Sequence, residues 1–233
     1  MAPSLPGHEL AQRPTTREDW TRSDLYHNSF LISWDEALEF ALKNSDEKGL
    51  PQIAVSAAQG KFLYLLAKSL GANRILEVGT LGGYSTIWLA RALPADGNII
   101  TCELDKKHAD TAQENLTHAG LESKVNVLVG PAAESLRNLH PDQPFDCVFI
   151  DADKPGNKTY YIEAKRLVRK GGVIIVDNVV RNGLVSDPSH TDASCEGVRE
   201  LLTYMKDDKE VEATTMATVG EKGYDGFLYA IKL

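Results

Sequence analysis

Three features of the sequence predict a doubly wound α/β fold. Five short apolar runs, residues 74–78, 99–103, 125–129, 147–150 and 173–176, recur along the chain, and amphipathic stretches separate them. Runs this short between turn residues read as buried strands of a parallel sheet, and a period of roughly 3.6 residues between them reads as crossover helices. A C-terminal pair, residues 211–219 and 226–231, is joined only by Gly220-Glu221-Lys222-Gly223, which leaves no room for a crossover and requires a hairpin. Together these features describe a Rossmann-like, seven-stranded, mostly parallel sheet with an antiparallel C-terminal hairpin and helices on both faces.

The first twenty or so residues contain Pro3, Pro6, Gly7 and Pro14 without periodicity and are expected to be loose unless a partner holds them. Residues 1–30 are therefore set apart as an extension, loose or in contact with a dimer partner or substrate. Within it, Trp20, Tyr26 and Phe30 suit a dimer contact, a roof over a substrate, or an ordinary core stripe. One domain, residues 31–233, follows. Ser33-Trp34-Asp35-Glu36 has capping-box spacing and opens a helix continued by Leu38, Ala41 and Leu42. Ser56-Ala57-Ala58-Gln59 repeats the device ahead of Phe62, Leu65, Leu66 and Ser69, and Gly71 stops that helix. Among the strands, helices are predicted near residues 84–93, 106–119, 132–139 and 157–168, with Ala109, Ala112, Leu116 and Ala119 forming a buried stripe. A last helix, carrying Val198, Leu201, Leu202 and Met205, precedes the hairpin.

At 233 residues and 42% hydrophobic, the chain is long enough for one full-sized core, and no stretch approaches the roughly 18 apolar residues of a membrane span. A formal net charge of -8 argues against wrapping a phosphate backbone. Cys102, Cys147 and Cys195 are odd in number and far apart, so they read as buried reduced thiols in a reducing compartment. The N-terminal segment has no apolar core of a signal peptide, and Glu9, Glu18 and Asp19 disfavour a mitochondrial transit sequence, so a cytoplasmic location is expected. His8, His27, His108, His118, His140 and His190 lack ligand spacing and are expected at the surface.

The chemistry is concentrated in the turns after strands. Asp151-Ala152-Asp153-Lys154 and Asp177-Asn178 directly follow two apolar runs, and open parallel sheets bind ligands just beyond the carboxyl ends of their strands. Two acids and an amide oxygen, from Asp151, Asp177 and Asn178, therefore converge on one crevice. Hard oxygen ligands of that kind suit Mg2+, with Mn2+ and Ca2+ as alternatives, rather than zinc. Asp153, in the middle of its turn, is expected to be solvated, and Asp177-Asn178 taken alone also suits an Asx turn.

A glycine turn, Glu77-Val78-Gly79-Thr80-Leu81-Gly82-Gly83-Tyr84-Ser85, follows the first strand, where glycines let the backbone approach a ligand. Its glycines miss the Gly-x-Gly-x-x-Gly spacing, which disfavours a pyrophosphate and with it a nicotinamide-dependent reductase. Glu77 would aim its charge toward the turn and suit an ammonium group, while Ser85 near the helix start could donate to a carboxylate. Glu103 ends the second strand, where an acid can accept from both hydroxyls of a ribose. An amino acid joined to a ribose describes S-adenosylmethionine. Thr80 is counted in the same cofactor-binding set.

Residues 76–85, taken with Asp151-Ala152-Asp153-Lys154 and Asp177-Asn178, resemble the cation-dependent class I O-methyltransferases, the group containing catechol and caffeoyl-CoA O-methyltransferases. The likeness runs from about Ile53 onward, and fungal members acting on catechols and flavonoids share the overall pattern most closely. The resemblance implies a cofactor carboxylate near Val55 and Ser85, an amino group near Gly79 and Asp151, ribose on Glu103, and adenine against Ala132. It implies metal ligation by Asp151, Asp177 and Asn178, and catalytic parts for Asp151 and for Lys154, as base or as a charge that positions substrate.

Animal catechol enzymes carry aromatics where this chain has Leu81 and Asp153, so the likeness leans to the caffeoyl-CoA and microbial branch. The N-terminal segment has no basic cluster for a CoA phosphate, so a free phenol or flavonoid is preferred, with residues 179–193, including Arg181 and Gly183, as the selectivity element. The expected reaction moves a methyl group from S-adenosylmethionine to one hydroxyl of a vicinal diphenol: a catechol, flavonoid or phenylpropanoid. The alternative is a tRNA-modifying O-methyltransferase on the same scaffold, which the acidic composition disfavours. A noncatalytic cofactor-binding protein is disfavoured by the intact metal and lysine positions. A homodimer is expected, with no nucleic-acid or membrane partner.

Overall fold

The computed structural model describes residues 14–233, so Pro3, Pro6, Gly7, His8 and Glu9 lie outside the described residues. Seven strands make one sheet: β1 (Arg74–Val78), β2 (Asn98–Glu103), β3 (Val125–Val129), β4 (Phe145–Ile150), β5 (Val168–Val176), β6 (Val211–Gly220) and β7 (Gly223–Lys232). Their order is β3-β2-β1-β4-β5-β7-β6. The first five pair in parallel, and β7 runs antiparallel between β5 and β6, as the close spacing of the last two strands requires.

Eight helices are described: α1 (Arg17–Leu31), α2 (Glu36–Glu47), α3 (Ala57–Ser69), α4 (Tyr84–Ala92), α5 (Lys106–His118), α6 (Ala132–Asn138), α7 (Asn157–Leu167) and α8 (Ala193–Met205). Alternate strand residues feed two separate cores. Ile75, Cys147, Phe149, Val173 and Ile175 pack with Leu38 of α2, Leu63 of α3, Ile87 of α4 and Leu116 of α5. Leu76, Val148, Ile150, Ile174 and Val176 pack on the other face with Leu136 of α6, Tyr161 of α7 and Leu201 of α8. A strand covered on both faces favours apolar residues at successive positions, which is why β4 from Cys147 to Ile150 and β5 from Val173 to Val176 show no polar alternation. The three cysteines are free and buried, as expected. Among the described residues, no helix is long and apolar enough to cross a membrane.

Two local readings need correction. The N-terminal stretch expected to be loose contains α1, started by a capping box in which Thr16 Oγ1 accepts from Asp19 N and the Asp19 side chain accepts from Thr16 N. None of its residues is buried, and Tyr26 and Phe30 are 63% and 71% exposed, so the core-stripe option for these aromatics fails. Instead α1 is tied to the hairpin turn, where Asp24 Oδ2 accepts from Glu221 N at 3.0 Å.

The second concerns α2. Its cap is Asp35 rather than Ser33: Asp35 Oδ1 accepts from Leu38 N at 3.0 Å while Oδ2 takes Arg91 at 2.7 Å. A carboxylate with two oxygens can cap a helix and hold a guanidinium together, which a single hydroxyl cannot.

Candidate active site

The crevice lies where the sheet order reverses, between β1 and β4. Each parallel ladder there runs one residue past its strand. Gly79 N donates to Cys102 O at 2.9 Å, Asp151 N to Val78 O at 2.8 Å, and Asp177 N to Ile150 O at 2.9 Å. These bonds set Gly79, Asp151 and Asp177 side by side at one sheet edge. Gly79 has φ +99°, and a Cβ there would stand 2.0 Å from Asp151 O. Its missing side chain is thus first a requirement of packing against Asp151, a reason for the glycine that the ligand-approach argument did not contain.

On the glycine-turn side, Glu77 does not present a bare charge to the crevice. Its carboxyl is wholly buried and accepts from Ser85 Oγ at 2.6 Å, Thr101 Oγ1 at 2.7 Å and Thr86 Oγ1. Burial outweighs those three bonds and pushes its pKa up to about 7. Ser85 therefore directs its proton to Glu77, where the sequence reading has it donate to a cofactor carboxylate. Thr80 is also turned inward: its Oγ1 lies 2.6 Å from Thr101 Oγ1, and Thr101 passes its own proton to Glu77.

Glu103 has a second task that the sequence reading missed. Its carboxylate folds the turn, accepting from Thr80 N at 3.2 Å, Leu81 N at 2.8 Å and Asp105 N at 2.9 Å, with His108 Nδ1 at 3.5 Å. Leu81 sits at φ +51°, a left-handed conformation costing an L-residue about 1–2 kcal/mol, and the Glu103 bond holds it there. A carboxylate has about four lone-pair sites, so room for further acceptance remains. Val55 is buried directly ahead of Ser56, the cap of α3, and Ala132 is the half-buried first residue of α6, beyond the end of β3.

The acidic side is arranged otherwise. Lys154 is buried, with Nζ 3.0 Å from Asp151 Oδ1. A 3-10 turn, Lys154–Gly156, fixes its backbone, and Asp153 caps that turn by accepting from Gly156 N at 3.1 Å and Tyr160 Oη at 2.5 Å. The expectation that Asp153 is merely solvated is corrected accordingly: it is exposed but structural. Helix α8 presses on the same turn through Gly197, where a Cβ would stand 2.2 Å from Lys154 O.

Asp177 is buried and accepts from Asn178 N at 2.9 Å and from Gln59 Nε2 at 2.7 Å. Burial first, and then the neighbouring charge of Asp151, hold its carboxyl well above the ordinary carboxylate range. Asn178 is half-buried at φ +56°, a conformation asparagine tolerates better than most residues.

Beyond Asn178, the segment expected to set selectivity is clamped from two sides. Asp225 Oδ1 accepts from Val180 N, Arg181 N and Gly226 N at 3.1, 2.7 and 2.9 Å. The Arg199 guanidinium donates to the carbonyls of Leu184, Val185, Asp187 and His190 at 2.6–3.0 Å. Gln59, Asp225 and Arg199 are absent from the sequence-based site. Only Gln59 left a local signal, as the fourth residue of a capping-box pattern.

Residues 32–232 match the family model described as O-methyltransferase. The chain is 49% identical over 208 residues to a catechol O-methyltransferase of Mycobacterium tuberculosis, covering 89% of this chain and 94% of that protein. A catechol O-methyltransferase of Niastella koreensis is 46% identical over 210 residues, covering 89% and 95%. The crystal structure of an O-methyltransferase from Bacillus cereus in complex with SAH superposes with a TM-score of 0.91 at 45% identity, covering 94% of this chain and all of that one.

Proposed function

The chain belongs to the O-methyltransferase family and uses S-adenosylmethionine as methyl donor, and we propose that its acceptor is one hydroxyl of a vicinal diphenol, held at a divalent cation by Asp151, Asp177 and Asn178. The observation that carries this reading is the pair of carboxylates at adjacent strand ends, one of them buried and both left facing each other's charge. Lys154 balances one of the two charges, and a proton or a further cation would balance the other. The third protein ligand in this reading is the Asn178 amide oxygen, from the residue directly after Asp177; among the described residues no three His, Cys, Asp or Glu side chains cluster. That donor set, all hard oxygen, fits Mg2+.

A cation held by Asp151, Asp177 and Asn178 would supply Lewis acidity that eases loss of a phenolic proton from a vicinal diol. The protein's own part is positional. Lys154 Nζ, buried beside Asp151, supports either of two parts: in its neutral form, a base that takes the proton the phenol gives up, or, as an ammonium, a charge that positions the acceptor oxygen. The acceptor oxygen then forms its bond to the methyl carbon as the carbon–sulfur bond breaks, in line, and S-adenosylhomocysteine leaves. The clamped segment after Asn178 supplies a preorganised wall for the aromatic ring. The likeness to two catechol O-methyltransferases supports the diphenol class, and a free catechol, flavonoid or phenylpropanoid fits a chain without a basic N-terminal cluster.

The test is incubation with S-adenosylmethionine and a panel of mono- and vicinal diphenols, with and without EDTA. Methylation confined to the vicinal diols, stopped by EDTA and restored by Mg2+, is expected. Turnover indifferent to EDTA would remove the cation from this reading, and equal methylation of monophenols would remove the diol.

A further inference from the structure

Gln59 occupies the third position of α3, three residues after its cap. In a closed capping box, the side chain at this position reaches back to the cap's own backbone N–H. Here only half of the box forms: Ser56 Oγ accepts from Gln59 N at 3.1 Å. The Gln59 amide turns the other way and donates to Asp177 Oδ2 at 2.7 Å, across 118 residues of sequence. The other carboxylate oxygen, Oδ1, takes Asn178 N at 2.9 Å. Two donors on opposite oxygens fix the plane of the carboxylate as well as its position. One of them, Asn178 N, comes from the adjoining peptide and does not depend on packing. The other exists only because α3 is buried through Leu63 and Ala67 against the sheet.

From this we infer that Gln59 is a positioning residue for the acceptor site: it orients the Asp177 carboxylate toward the cation while touching neither cation nor substrate. The inference rests on the cation reading proposed above. Partners that orient a ligating carboxylate typically change metal affinity or activity by about 10- to 100-fold when removed. Without the Gln59 donor, Asp177 is freer to rotate, and a buried anion loses one of its two hydrogen bonds.

The test uses full-length protein with Gln59→Met, which keeps the length of the side chain but donates nothing, and Gln59→Ala as a second variant. Mn2+ binding is followed by electron paramagnetic resonance, S-adenosylhomocysteine binding by calorimetry, and folding by thermal melting. Expected is a Mn2+ dissociation constant raised by about 10- to 100-fold, with S-adenosylhomocysteine affinity close to wild type, a melting temperature lowered by only a few degrees, and a fall in kcat that added Mn2+ partly restores. Wild-type Mn2+ affinity in a folded variant overturns the inference while leaving the cation reading intact. Absence of Mn2+ binding in the wild-type protein overturns the cation reading itself. Failure of both variants to fold assigns Gln59 to folding and likewise overturns the inference.

Discussion

Glu77 and Glu103 on the glycine-turn side, and Asp151 and Asp177 on the acidic side, are carboxylates a few residues from strand ends, yet the protein treats them in opposite ways. Glu77 is surrounded by three hydroxyl donors and Glu103 by three backbone N–H groups, all neutral dipoles. Asp151 has one lysine, Asp177 one side-chain amide and one adjoining N–H, and the charge of Asp151 bears on Asp177. Neutral donors satisfy a buried carboxyl without adding charge. Two like charges left against each other are costly, and under the proposed function a bound cation would answer their excess. Similar residues are thus met by neutral donors on one side and by unbalanced charge on the other.

The comparison is broken most sharply by Asp177→Asn, which removes the unbalanced charge and keeps the size. We expect kcat/KM to fall by at least about 100-fold while calorimetry finds S-adenosylhomocysteine binding as in wild type. An equal loss in cofactor affinity would mean that the two sides are not separable. Next in size is Lys154→Ala, expected to lower kcat by about 100-fold, the low end for a group that handles a proton. Equal losses in turnover and cofactor affinity would reassign Lys154 to binding.

Arg199→Ala leaves both carboxylate pairs in place and loosens the clamped segment. Loss of a charged donor to several carbonyls costs about 1.5–3 kcal/mol of stability, and the acceptor KM should rise with cofactor affinity unchanged. If KM for every diphenol in the panel stays at the wild-type value, the segment is not a wall of the acceptor site.

Glu77→Gln should have the smallest effect on turnover and a legible effect on stability. Between pH 4.5 and about 7 the folded protein retains a proton on Glu77 that the unfolded chain has released. Unfolding therefore releases a proton in that window, and stability falls as pH rises through it, by on the order of 3 kcal/mol in all. The variant should flatten that part of the melting-temperature profile. A large loss of S-adenosylhomocysteine affinity would instead return Glu77 to the cofactor role read from sequence.

Much of the scaffold was legible because its causes are local. Residues 147–150 and 173–176 are apolar at every position since both faces of their strands are covered, and the hairpin follows from a connection too short for anything else. Asp151, Asp177 and Asn178 could be singled out because the residues directly after a buried strand have a known place in an open sheet, whereas the role of Lys154 came through the family resemblance. Helix α1 was overlooked for the converse reason: it buries nothing, so no apolar stripe marks it, and its one signal is the Thr16–Asp19 capping box.

Sequence alone thus determined the sheet, its crevice and the acids at its rim, since strand periodicity and turn chemistry are properties of neighbouring residues. Tertiary structure alone decided where each polar side chain spends its hydrogen bonds. Ser85 turns to Glu77, Glu103 to the turn's own amides, Gln59 to Asp177 118 residues away, and Asp225 to a segment 44 and 45 residues before it. A donor's partner depends on which distant acceptor is buried within reach, and that distance does not exist until the chain has packed.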